Sequence, residues 1–134
     1  MQNSKWSVPS NEVEALIRKI SELEVGYPVI EMERLIEIGE PAVWPIIQVL
    51  DKVEGAPEPQ DILPFVVILG EIRSSAARDI LIKFMLDVKE NIIANVACEA
   101  LAKIGEPALN TLEDIIQKNK NVLARLYAYG CQPR

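Results

Sequence analysis

Residues able to do covalent or acid–base chemistry are sparse in this chain. It has no histidine, which removes Ser–His and Cys–His nucleophile pairs, histidine-ligated zinc and imidazole acid–base work together. The two cysteines, Cys98 and Cys131, show neither metal-ligand spacing nor a paired pattern. Cys98 sits in an apolar helical stretch and reads as a buried, inert thiol; Cys131, near the C terminus, reads as an exposed free thiol. Glu31, Glu33, Glu37 and Glu40 form an acidic cluster in which Glu33 and Glu37 share a helix face. They could meet a basic partner or a cation, but a solvated outer face is the simpler expectation. Glu113 and Asp114 are adjacent, and neighbours on a helix diverge rather than converge as a catalytic pair would. The expectation is therefore a protein without a catalytic site, metal or cofactor. The residues left to consider recognise rather than react, above all Trp44 and Arg78, of the types enriched in binding hot spots.

What positions them is a repeat. Ile38-Gly39-Glu40-Pro41-Ala42 recurs unchanged as Ile104-Gly105-Glu106-Pro107-Ala108, with Leu35 and Leu101 at the same distance before. Leu69 to Ala76 aligns between them without gaps, matching Ile72 to Ile38 and Ala76 to Ala42. A spacing of this size is that of stacked helix pairs. Gly39 and Gly105 follow apolar-periodic runs, where a left-handed residue ends a helix. Pro41 and Pro107 suit the first turn of the next helix, and the nearby glutamates complement its positive end. Ala42, Ala76 and Ala108 are small enough for two helices to approach closely. In the middle copy Arg73 stands in place of glycine; in the same left-handed conformation it costs roughly 1 kcal/mol. Ser74 follows it as an N-cap.

The helices can be placed around these turns. Asn11 and Glu14 resemble a capping box opening a helix with Val13, Leu16, Ile17, Ile20 and Leu23 on one stripe, stopping near Gly26. Helices follow over 28–38 and 41–53, the second containing Pro45, which predicts a mild distortion or a later start. The Glu54-Gly55-Ala56-Pro57-Glu58-Pro59 stretch is a loop, longer than the other turns; it could carry contacts, as long solenoid loops often do, but a plain insertion is the simpler expectation. Asp61 caps the next helix, to Ile72. Its segment Ile62–Leu69 is apolar enough to mimic a buried strand, but its place in the repeat decides for helix. Ser74 caps a helix to about Val88, and Asn91–Ile104 and 107–118 form the third pair. The expected fold is all-α, an α/α superhelix of about seven to eight helices in antiparallel pairs within one domain, 1–134. It comprises an N-terminal capping helix at about 11–25, repeats at about 28–54, 61–88 and 91–118, and a partial repeat at 121–130.

Ala100-Leu101-Ala102-Lys103-Ile104-Gly105-Glu106-Pro107-Ala108, with Leu112 following, resembles the HEAT-like repeat of phycobilisome lyase subunits. The likeness covers about residues 28 to 130. Repeat one departs from it at Arg34, where the pattern has alanine, and repeat two at Arg73. The resemblance implies an α/α superhelix whose second helices line an inner surface. On that surface Trp44, Arg78 and Asn110 would stack as one ladder and Gln48, Ile82 and Asp114 as its neighbour, flanked by Asp79, Lys83 and Glu113. In bilin lyases such repeats help attach a chromophore to phycobiliproteins, but no residue set here carries that activity over. HEAT-like proteins that excise alkylated DNA bases depend on a basic surface, which this acidic chain lacks.

Fourteen basic against twenty acidic residues leave a net charge of −6, which repels nucleic acid and anionic lipid. Hydrophobic residues at 49% argue for a folded core, and aromatics at 5% for an aliphatic one. The polar start, Met1 to Ser10, lacks the apolar stretch of a signal peptide, and no run reaches a membrane span, so a cytoplasmic location is expected. Val122, Leu123, Leu126 and Tyr127 begin a repeat without a second helix, which predicts self-capping or a weak homodimer through the C-terminal helix. The functional expectation is a non-enzymatic protein-interaction or scaffolding module that binds a protein partner through Trp44, Gln48, Arg78, Lys83, Asn110 and Asp114. Trp44 could instead fold back onto the loop or the first helix. The alternative function is a subunit of a bilin lyase-like enzyme acting on a tetrapyrrole.

Overall fold

The computed structural model describes residues 10–23, 28–52, 59–87 and 91–105, together with residues 110, 113, 114 and 117. Among the described residues the structure is all-helical. Six α-helices are delineated: α1 (Ser10–Glu22), α2 (Val29–Ile38), α3 (Glu40–Asp51), α4 (Pro59–Ile72), α5 (Arg78–Asp87) and α6 (Asn91–Ile104). A 3₁₀ turn, Ser75–Ala77, precedes α5. None of these helices is long and apolar enough to cross a membrane. Asn110, Glu113, Asp114 and Gln117 are helical and exposed; the rest of the expected 107–118 helix, the 121–130 partial repeat and the 54–58 loop tip lie outside the described residues.

The three aligned turns share one hydrogen-bond register. The N–H groups of Gly39, Arg73 and Gly105 donate to the carbonyls of Leu35, Leu69 and Leu101, each at 3.1 Å. All three leucines are fully buried. The three donors have φ of 78°, 63° and 75°, so Arg73 takes the positive φ that its aligned glycines take. Gly39, with ψ −136°, lies outside the left-handed helical basin, in a region that only glycine occupies readily. Ser74 is extended and its hydroxyl accepts from the Ala76 N–H at 3.2 Å. It thus caps the 3₁₀ turn rather than α5 itself.

Several boundaries and burials differ from the sequence reading. α1 ends at Glu22, so Leu23 is non-helical and 42% exposed rather than part of the apolar stripe. α4 begins at Pro59, two residues before Asp61, which is therefore an acid of the first turn and not the cap. Pro45 is accommodated inside an unbroken α3, so the later start does not occur. Its missing N–H frees the carbonyl of Pro41, an exposed residue in the first turn. Ala42 is buried as expected, but Ala76 is exposed and Ala77 buried in its place. The 3₁₀ turn winds at about 3.0 rather than 3.6 residues per turn, which shifts the buried position by one.

Packing links α2 to α4 and α4 to α6, and separately α3 to α5; α1 lies on α2 and α3. α4 is the central element, touching α2, α3 and α6. Its composition suits that place, with Ile62, Phe65, Val66, Ile68 and Leu69 all at most 1% exposed. Apart from Phe65 and Phe84 the core is mainly aliphatic, as with Leu35, Ile46, Leu50, Leu81, Ile93 and Leu101. Each such burial contributes roughly 1.5–3 kcal/mol. Cys98 is buried on α6 but is not a free thiol, because it is disulfide-bonded. An apolar helical setting explains the burial and says nothing of the sulfur's partner. Cys131 lies outside the described residues.

Candidate functional site

Four of the six recognition residues expected from the sequence fall on two touching helices. Trp44 and Gln48 are on α3, Arg78 and Lys83 on α5. The inward side of α3 is set by Ala42, Val43, Ile46 and Leu50, all buried. The opposite side carries Glu40, Pro41, Trp44, Gln48 and Asp51, all exposed at helical spacing. Trp44 is 64% exposed.

On α5 the geometry is more constrained. Arg78 is half-buried, and its Nε donates to the Asp79 carboxylate at 3.2 Å. That bond engages one edge of the guanidinium and leaves its other N–H groups for a ligand. Ile82 is half-buried against the core and serves as floor. Lys83 is exposed. Asn110 and Asp114 are exposed on helical backbone, and the segment 106–109 that leads to them from α6 lies outside the described residues. Among the described residues no group of three or more Cys, Asp or Glu is placed to hold a metal.

The acidic cluster is divided by the fold. Glu37 accepts from Arg34 at 3.2 Å, whereas Glu33 is exposed on α2 and Glu40 on α3. Arg34 also reaches across to α1, where Nε and the second terminal nitrogen meet the two Glu12 carboxylate oxygens at 2.7 and 3.2 Å. This forked bond from Arg34 holds the Glu12 carboxyl below its ordinary value of 4.5, against a smaller opposing effect of desolvation. The sequence signal for it was Arg34 itself, standing where the repeat pattern has alanine. Two further features were not read from the sequence. Ile30 and Ile92 are 78% and 50% exposed, and a small notch lies between α4 and α6. The notch, of about 30 Å³, is lined by Val67, Gly70, Val96, Glu99, Ala100 and Lys103.

No protein-family model matches the chain, and no curated protein matches it.

Proposed function

We propose that this chain is a short HEAT-like array of helix pairs that binds a protein partner through the exposed face of α3 and α5 and catalyses no reaction itself. The identical turn hydrogen bonds from Gly39, Arg73 and Gly105 support a repeated unit. The contacts of α2 with α4, α4 with α6, and α3 with α5 support stacking of first helices on first and second on second.

One observation carries the binding reading, the 64% exposure of Trp44 in the middle of a well-packed helix. Leaving a side chain of this size in water forgoes on the order of 2 kcal/mol of burial. A partner that covers it recovers that term. Gln48 one turn away and Arg78 and Lys83 on α5 supply polar contacts around an aromatic anchor. The test is affinity capture from host extract with wild type and Trp44→Ala, each checked by circular dichroism for an intact fold. A protein retained by wild type and lost from the folded variant supports the reading. An identical set of captured proteins from both sinks it.

A different residue bears on the compartment. Disulfides persist in oxidising surroundings, and the one at Cys98 supports such a compartment over the cytoplasm expected from the polar N-terminal segment.

A further inference from the structure

The face formed by α2, α4 and α6 is a second surface, separate from Trp44. These three helices carry six carboxylates (Glu31, Glu33, Glu37, Asp61, Glu71 and Glu99) and two bases, Arg34 and Lys103. Both bases are already committed: Arg34 to Glu12 and Glu37, Lys103 to Glu71. Glu33 and Glu99 are exposed and enter none of these pairs. Across the three helices carboxylates therefore outnumber bases by six to two.

The same face presents apolar surface beside that charge. Glu71 and Lys103 occupy equivalent repeat positions and are joined in an ion pair between α4 and α6, which agrees with the register the alignment gives those two helices. In the alignment of the repeats Glu33, Val67 and Glu99 are equivalent positions of the three helices, and Ile30, Pro64 and Val96 the equivalent positions one turn earlier. Val67, Val96, Glu99 and Lys103, the last paired with Glu71, line the notch together. Val67 and Val96 are half-buried, and Ile30 is 78% exposed. An apolar strip bordered by two unpaired carboxylates is complementary to a helix with apolar residues on one stripe and lysine or arginine beside it.

We propose that the α2–α4–α6 face docks a basic amphipathic segment of a partner protein. Its apolar side chains lie along Ile30, Val67 and Val96, one entering the notch over Gly70 and Ala100. Its cationic side chains meet Glu33 and Glu99. This reading stands whether or not Trp44 anchors a partner.

The test uses the full chain and dye-labelled synthetic peptides of about five helical turns, followed by fluorescence anisotropy. The probe carries leucine on one stripe and lysine on the other. One control replaces its lysines by glutamate, another its leucines by serine. The lysine–leucine peptide is expected to bind and both controls to fail. Glu33→Gln with Glu99→Gln weakens binding about tenfold, and Ile30→Ser about fivefold. Glu14→Gln with Glu22→Gln, the same change in net charge made on exposed positions of α1, leaves it within about twofold. All four glutamates lie outside the observed ion pairs, so each variant is expected to fold. The proposal is overturned if the probe does not bind, or if the two double variants weaken it equally, which would mean attraction to net charge alone. Loss of binding in Trp44→Ala alone would move the site to α3 and also overturns it. So does a dimer of the free chain in sedimentation that the Glu33/Glu99 variant disperses, because the occupant would then be a second copy.

Discussion

Gly70 of α4 lies so close to Ala100 of α6 that a Cβ added at Gly70 would stand 2.8 Å from the Ala100 Cβ and 2.9 Å from its Cα. The second of these is backbone, which cannot turn aside as a flexible side chain would. The contact sets how near the central helix comes to its neighbour, and both residues are buried. Glycine inside a helix ordinarily costs about 1 kcal/mol relative to alanine, so Gly70→Ala would stabilise an unpacked helix. Here overpacking of roughly 1–3 kcal/mol opposes that gain. The expected net result is a loss of up to about 2 kcal/mol in urea unfolding, partly recovered when Ala100→Gly is added. A Gly70→Ala variant with a raised midpoint would show that the helices are not held at this distance.

The three turns make an opposite prediction at an exposed site. Arg73 holds φ 63° where its counterparts Gly39 and Gly105 hold 78° and 75°. A left-handed residue with a Cβ is strained by roughly 1–2 kcal/mol, and glycine relieves this at some entropic cost in the unfolded chain. Arg73→Gly is expected to gain about 0.5–1 kcal/mol, read as a higher urea midpoint with unchanged slope. Gly105→Ala is expected to lose about 1 kcal/mol although nothing lies within 4 Å of the added Cβ. If Gly105→Ala is neutral, backbone conformation is not what the repeat keeps glycine for.

These two cases mark what could be read from the sequence and what could not. The turns were legible because their chemistry is local: a glycine or its substitute, then Ser74 or a proline, sits at a fixed distance after a buried leucine. Even the strained Arg73 followed from alignment alone. α4 was legible as a helix despite a strand-like apolar run because the repeat placed it. The Gly70–Ala100 contact was not, because it joins residues of different repeats and carries no local signature. The exposure of Trp44 was open for the same reason, since nothing along α3 says whether a neighbouring element covers it. Arg34 was read as a departure from the alanine pattern; only the packing of α1 against α2 shows why a long cation stands there. The state of Cys98 was out of reach, because its apolar setting fixes burial and leaves the sulfur's bonding undetermined.

The disulfide gives a direct chemical readout. Cys98 is buried and disulfide-bonded, so alkylation of the denatured protein without reductant should leave it unmodified. Prior reduction should make it fully reactive, with the peptide identified by mass spectrometry. The same comparison on protein quenched in acid directly from the host separates compartments, since a cytosolic pool would hold Cys98 reduced. Alkylation of Cys98 in unreduced, host-derived protein would restore the cytoplasmic reading.

The forked bond between Arg34 and Glu12 predicts a pH dependence of fixed sign. Glu12 titrates below its ordinary 4.5 in the folded chain, chiefly because Arg34 donates to its carboxylate. A depressed carboxyl pKa means that the unfolded chain binds the proton more readily. The pair therefore stabilises the fold fully at pH above the ordinary value, and the benefit fades as pH falls through 4.5 toward the lower folded value. Both partners are solvent-exposed, at 46% for Arg34 and 34% for Glu12, so the effect is small and weakens with salt. Urea unfolding of wild type and Glu12→Gln at a series of pH values isolates it. The difference between the two is expected to be level from neutral pH down to about pH 5, to shrink below that, and to diminish at high ionic strength. A difference that stays constant into acid would mean that the Glu12 charge contributes nothing and that the two side chains only pack together. A difference that grows toward acid would reverse the sign of the linkage and remove Arg34 as the tie between α1 and α2.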